Sequence, residues 1–145
     1  MITIRSYKDS DYHFVKKILK EANLYDEVWD SEENLLGMVT KEKDSIFVAL
    51  DHKKIVGHVF IIPFGTKVAY IFRLAVCKEY RKKGIATLLI SHAEAMYASK
   101  GVVEFGLYVD ATNISLQDFY KKREFITSNK QWIYMYKIDN KKPPR

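Results

Sequence analysis

Apolar residues recur with two different periods along the chain, and the switches between the periods mark its elements. Ile2 to Tyr7 alternates apolar with polar, as an edge or half-buried strand does. Asp9 and Ser10 are helix-capping types, and Phe14, Val15, Ile18, Leu19 and Ala22 follow them at helical spacing. Asp30 or Ser31 opens a second helix with Leu35, Leu36, Met38 and Val39 on its apolar side. Ser45 to Leu50 reads as a strand, 51–54 as a tight turn and Ile55 to Ile62 as the hairpin partner; after a turn at Pro63 to Thr66, Lys67 to Val76 is a further strand. The clearest helix runs from Gly84 to Lys100, where Ile85, Leu88, Leu89, His92, Ala93 and Met96 trace one stripe and Gly101 sits just past the end. Val102 to Val109 is a strand, Ser115 to Lys122 a short helix, and Phe125–Ile126 with Trp132 to Ile138 a closing hairpin.

This order, β-α-α-β-β-β-α-β-α-β-β, sets three antiparallel strands ahead of a β-α-β crossover, so the sheet is expected to be mixed and the fold class α+β. The length of 145 residues fits one domain, expected over 1–140, with the proline-containing basic tail 141–145 frayed. A composition of 48% hydrophobic and 29% charged residues excludes long disorder and fibrous repeats. The longest apolar stretch, Ile55 to Phe64, is interrupted by Gly57, His58 and Pro63 and is too short for a bilayer, which takes ~20 residues. Charge near the start of the chain argues against a signal peptide, and a lone cysteine, Cys77, cannot form an internal disulfide, so a reducing, cytoplasmic setting is expected. A net charge of +6 invites a polyanion, either nucleic acid or a phosphate-bearing cofactor. The basic residues are scattered, with small clusters at 81–83, 121–123 and 141–145, and scattered charge reads as solvated surface; no nucleic acid is expected.

The segment Arg81-Lys82-Lys83-Gly84-Ile85-Ala86 lies between a strand and the long helix and suits pyrophosphate. A helix N-terminus offers unpaired N–H groups and about half a positive charge. Gly84 lets the chain approach a phosphate without a Cβ in the way, Ala86 is small, and Arg81, Lys82 and Lys83 add counter-charge. No Gly-Lys-Ser/Thr follows, and only one of the three dinucleotide-fingerprint glycines is present. A basic turn before an amphipathic helix is the alternative reading of the hexapeptide.

The segment resembles the acetyl-CoA loop of the GNAT N-acetyltransferases, Arg/Gln-x-x-Gly-x-Gly/Ala. The strand from Tyr70 to Val76 that runs into it resembles that family's splayed central strand, and Asn113 with Tyr120 seven residues on resembles its second motif. The element order agrees over nearly the whole chain. The resemblance implies a three-layer fold whose sheet of about seven strands is splayed between the fourth and fifth. It implies that the backbone of Leu74, Ala75 and Val76 pairs with the pantetheine arm of acetyl-CoA. It also implies that amides from Lys82 through Lys83, Gly84, Ile85 and Ala86 to Thr87 hold the pyrophosphate, that Asn113 bonds the pantetheine or adjoining backbone, and that Tyr120 protonates the leaving thiolate. The partners it implies are acetyl-CoA and a primary amine, a small molecule or a protein amino group, attacking the thioester directly. A monomer or homodimer is expected.

Two positions depart from that family. Glu124 stands where Gly usually precedes Phe125, which argues against a left-handed turn there, and tyrosines occupy positions 70 and 108, where a glutamate base is sought. The amine proton is therefore expected to leave through water and backbone carbonyls, with His58, Glu79, Glu104 and Asp110 as candidates should the protein supply a base. Trp29, Tyr70 and Tyr108 are candidates for the acceptor cleft. His13, His52, His58 and His92 lack metal spacing, so no metal is expected, and Cys77 reads as a plain thiol. A non-catalytic acyl-CoA-binding regulator of the same fold is the rival reading.

Overall fold

Strands adjacent in sequence pair in space. In the computed structural model, which describes residues 1–139, β1 (Ile2–Ser6), β2 (Ile46–Asp51), β3 (Lys54–Phe64) and β4 (Val68–Val76) form successive antiparallel ladders. β5 (Glu104–Gly106) joins β4 in parallel, giving the order β1-β2-β3-β4-β5. The chain divides into two units, Met1–Tyr108 and Val109 onward. The first holds the sheet with helices α1 (Tyr12–Glu21), α2 (Glu32–Lys41) and α3 (Ile85–Ser99); the second holds α4 (Ile114–Lys121).

β2 is apolar at every position from Ile46 to Leu50 because both of its faces are covered. Ile46, Val48 and Leu50 share a core with Phe60 and with Tyr12, Val15, Ile18, Leu19 and Leu35 from α1 and α2. The alternate residue Phe47 meets His92 of α3 edge-on, with ring centroids 4.6 Å apart. α3 buries Ile85, Leu89, Ile90, Ala93 and Tyr97, whereas Leu88 is 46% exposed. The buried stripe is thus rotated from the sequence expectation. Apolar residues surround α3, so periodicity does not single out one face, and contact with the sheet selects it.

Five strands are present among the described residues rather than about seven. The strand expected over 102–109 is confined to Glu104–Gly106, and the expected closing hairpin forms no ladder. Trp132, Ile133, Tyr134 and Met135 all stay exposed. Alternation and aromatic content favour strands only when one face is buried and a partner supplies the ladder bonds. The tail 141–145 lies outside the described residues.

Helices α3 and α4 close with the same cap. At α3, Gly101 takes φ +98°, Gly101 N–H donates to Ala98 O (3.0 Å) and Val102 N–H donates to Tyr97 O (3.1 Å). At α4, Glu124 takes φ +70°, Glu124 N–H donates to Lys121 O (3.0 Å), Phe125 N–H donates to Tyr120 O (3.1 Å), and the Tyr120 and Phe125 rings meet edge-on at 5.4 Å. The left-handed turn therefore forms with glutamate in the usual glycine position, against the sequence expectation. Two hydrogen bonds and one ring contact offset the backbone cost of ~1–2 kcal/mol. Glu124→Gly is expected to raise stability by about 0.5–1 kcal/mol, the relieved strain less the greater unfolded-state entropy of glycine. Urea unfolding that shows no gain or a loss refutes this account.

Candidate functional site

The pairing of β4 with β5 stops early. β4 meets β5 only through Val68, Ala69 and Tyr70, opposite Glu104, Phe105 and Gly106, and then continues alone to Val76. Its other side stays on β3 as far as Val76, so the sheet opens between the fourth and fifth strands, as the resemblance implies. A β-bulge accompanies the opening: His58 faces Ala75 and Phe60 faces Phe72, so Arg73 and Leu74 together oppose Val59. Arg73 sits at φ +52°. A bulge bends its strand and increases the local twist, which directs the end of β4 away from β5. No feature of the sequence marks this bulge, since arginine rarely occupies the left-handed region.

Beyond the bulge, Cys77 N–H donates to Val56 O of β3 (2.8 Å). Alternation along a strand then turns the peptide groups of Val76 to the open side. Of the three residues expected to pair with a pantetheine arm, Val76 lines that side, Leu74 belongs to the bulge, and Ala75 is in register with His58 in the β3 ladder. Arg81 Nε donates to Val76 O (3.0 Å), so this side chain ties the following loop to the strand end. Arg81 thus has a structural task besides the counter-charge expected of it.

The loop then runs into α3 through two left-handed residues, Lys82 (φ +62°) and Gly84 (φ +82°), which flank Lys83. Such alternation makes an anion-binding concavity of successive backbone amides. Gly84 is the N-cap, and Leu88 N–H donates to its carbonyl (3.1 Å), so the amides of Ile85 and Ala86 have no acceptor within the helix. Apart from its own chain neighbours, no residue comes within 4 Å of where a Cβ on Gly84 would stand. Lys82 and Lys83 are exposed, and Lys83 Nζ lies 5.2 Å above the Tyr80 ring. Open space, unpaired amides and cationic side chains coincide, which is what a pyrophosphate needs.

Tyr70 and Tyr108 come together beside the opening. Their rings are nearly parallel, 13° apart, with centroids at 6.4 Å. Tyr70 faces Gly106 across the ladder, and a Cβ on Gly106 would stand 3.0 Å from the Tyr70 ring, so a larger residue there would make that ring shift. Trp29 is half-buried, edge-on to Phe72 at 6.3 Å. These three cleft candidates are aromatic, and none is an acid.

Two of the candidate bases, His58 and Asp110, are poorly suited. His58 is wholly buried, its Nδ1 is 2.8 Å from Arg73 O, and burial, aided by the Arg73 charge, lowers its pKa to about 4. Asp110 accepts from the Thr112 hydroxyl (2.7 Å) and amide (2.8 Å), which hold it below its ordinary value. The Cys77 thiol is half-buried and pushed up by that burial and by Glu21 and Glu79, so it stays protonated.

In the second unit Asn113 caps α4, its Oδ1 accepting from Leu116 N–H (3.0 Å). Tyr120 is buried, edge-on to Phe119 at 5.2 Å and to Phe125, and burial raises its pKa to about 12 against the opposing pull of Arg123. Among the described residues no helix is long and apolar enough to cross a membrane.

Residues 9–125 match the acetyltransferase (GNAT) family. N-alpha-acetyltransferase 30 of Schizosaccharomyces pombe is 33% identical over 92 residues, 61% of this chain and 61% of that protein. N-alpha-acetyltransferase 60 of Danio rerio is 31% identical over 135 residues, 82% of this chain and 49% of that protein. The chain thus spans less than two thirds of the length of either relative. The PaiA N-acetyltransferase from Thermoplasma acidophilum, solved in complex with coenzyme A, has the same fold, with a TM-score of 0.79 at 23% identity over 90% of this chain and 93% of that one.

Proposed function

Because the chain belongs to the acetyltransferase (GNAT) family, we propose that it moves an acetyl group from acetyl-CoA to the α-amino group of a peptide chain by direct attack. The observation that carries this reading is the open side of β4 leading, past Arg81, into the left-handed loop at the head of α3. The end of β4 holds the pantetheine arm as an added strand, and the amides of the 82–87 turn hold the pyrophosphate. A backbone amide near Val76 stabilises the oxyanion, Asn113 acts at the pantetheine or adjoining backbone, and Tyr120 acts at the departing sulfur. The amine nitrogen bonds to the carbonyl carbon, the carbon–sulfur bond breaks, and the proton the amine gives up ends on the sulfur.

The acceptor class follows from proton arithmetic. A lysine side chain with pKa near 10.4 is neutral in about one molecule in 2,500 at pH 7, whereas an α-amine with pKa near 8 is neutral in about one in ten. Tyr70 and Tyr108 stand where a glutamate base is sought, and burial lowers the pKa of His58, so the acceptor that deprotonates by itself is favoured. Two relatives with N-alpha-acetyltransferase names support the same choice.

The test compares a lysine-free peptide bearing a free α-amine with an Nα-blocked peptide bearing one lysine, reading CoA thiol release. From the neutral fractions alone the first is expected to react up to ~250-fold faster at pH 7. Its kcat/KM should rise with pH and level off near the α-amine's own pKa. Faster turnover of the lysine peptide overturns the acceptor class. An inflection shared near pH 6–7 by two acceptors of different pKa would show that the protein supplies a base.

A further inference from the structure

One ion pair fastens the connection between α1 and α2 to the bulge of β4. The Asp30 side chain is 1% exposed and that of Arg73 17%. Arg73 Nε and Nη2 donate to the two carboxylate oxygens of Asp30, each at 3.1 Å, a forked geometry that lysine cannot reproduce. The guanidinium lies 5.3 Å above the Trp29 ring. Asp30 is itself fixed: Asp26 N–H donates to Oδ2 (2.9 Å), and its carbonyl accepts from the Tyr12 hydroxyl (2.9 Å). On the strand side, the Arg73 carbonyl lies 2.8 Å from His58 Nδ1.

A buried ion pair is a poor source of stability, because desolvation offsets much of the attraction. The left-handed conformation of Arg73, at φ +52°, adds a backbone cost of its own. Both costs fall on one residue, directly before the strand end that lines the opening. We infer that the Arg73–Asp30 pair is a positioning device that sets the bulge against the Trp29 segment, so that one contact aligns the thioester edge with the acceptor wall. The inference rests on the transferase reading above. Arg73 is a positioning residue: it acts through the backbone of Leu74 to Val76 and through Trp29. Attack requires reacting atoms about 3–3.5 Å apart, and a displacement of about 1 Å can cost ~10²-fold. Loosening the pair should therefore act on kcat, while acetyl-CoA, held by the 82–87 turn, keeps its KM.

The decisive variant is the double substitution Asp30→Leu with Arg73→Met, which removes both charges without stranding either; apolar replacement of a buried pair is often neutral for stability. This variant is expected to melt near the wild type, to lose ~10–100-fold in kcat, and to keep its acetyl-CoA KM within about threefold. Arg73→Lys keeps the charge but should not keep kcat, because the fork is lost. In the ligand-free double variant, amide exchange at Phe72 to Leu74 should be more than ~10-fold faster than in the wild type, the mark of a locally loosened segment. Wild-type kcat in the folded double variant, or unchanged exchange at those amides, overturns the inference. A wild type that acetylates no amine overturns the transferase reading instead, and the exchange measurement then decides the inference alone.

Discussion

Tyr120→Phe is expected to lower kcat by ~10²–10³-fold, the usual effect of deleting a donor aimed at developing charge. Burial holds the phenol near a pKa of about 12, so it is protonated across any practical pH range. An alkyl thiol ionises near 8.5, so complete proton transfer from this tyrosine to the thiolate is uphill by roughly 5 kcal/mol. The role proposed for Tyr120 is therefore that of a hydrogen-bond donor to the departing sulfur rather than its final proton source, which refines the role implied by the family motif. Acetyl-CoA affinity should change little, since one hydroxyl is a small part of the contact with so large a ligand. The raised pKa also predicts a stability effect: the folded state holds the proton more tightly, so this contribution is complete below pH 10 and is lost as pH rises through about 12. A near-normal kcat in Tyr120→Phe would remove Tyr120 from the chemistry.

Gly84→Val is expected to weaken acetyl-CoA binding by more than tenfold while the fold survives. Nothing in the protein stands where the new side chain would begin, so the loss comes from two other causes. Valine disfavours φ +82°, and its branched group enters the space in front of the Ile85 and Ala86 amides. Gly84→Asn separates the two, because asparagine tolerates the left-handed region while still filling the space. Calorimetry with acetyl-CoA, beside far-ultraviolet circular dichroism, is the measurement. Unchanged affinity in a folded valine variant would place the pyrophosphate elsewhere.

Much of this protein is determined locally and is legible in the sequence. Ser31 and Gly101 sit at the helix ends their residue types predict, because capping depends on a residue and its near neighbours; Asp9 and Ser10 instead fall in a short 3-10 turn ahead of α1, and Asn113 caps a helix expected only from Ser115. The β2–β3 and β3–β4 hairpins follow from short apolar runs bounded by turn residues, for the same reason. The basic loop before α3 is a local motif as well, although the left-handed Lys82 within it is not visible in the residue types. Tertiary structure decided what depends on distant partners. The buried face of an all-round apolar α3 is selected by the sheet, and residues 132–138 remain without a ladder although their pattern suits one. Glu124 adopts the glycine conformation because the bonds to Tyr120 and Lys121 and the Phe125 ring contact outweigh its backbone preference. Above all, the bulge at Arg73 rests on Asp30, 43 residues away, and on His58 across the ladder. The energy of a left-handed arginine on a buried carboxylate is a property of the assembled core, so the residue types along the chain do not mark the bulge, although the motifs around it place the opening between the fourth and fifth strands.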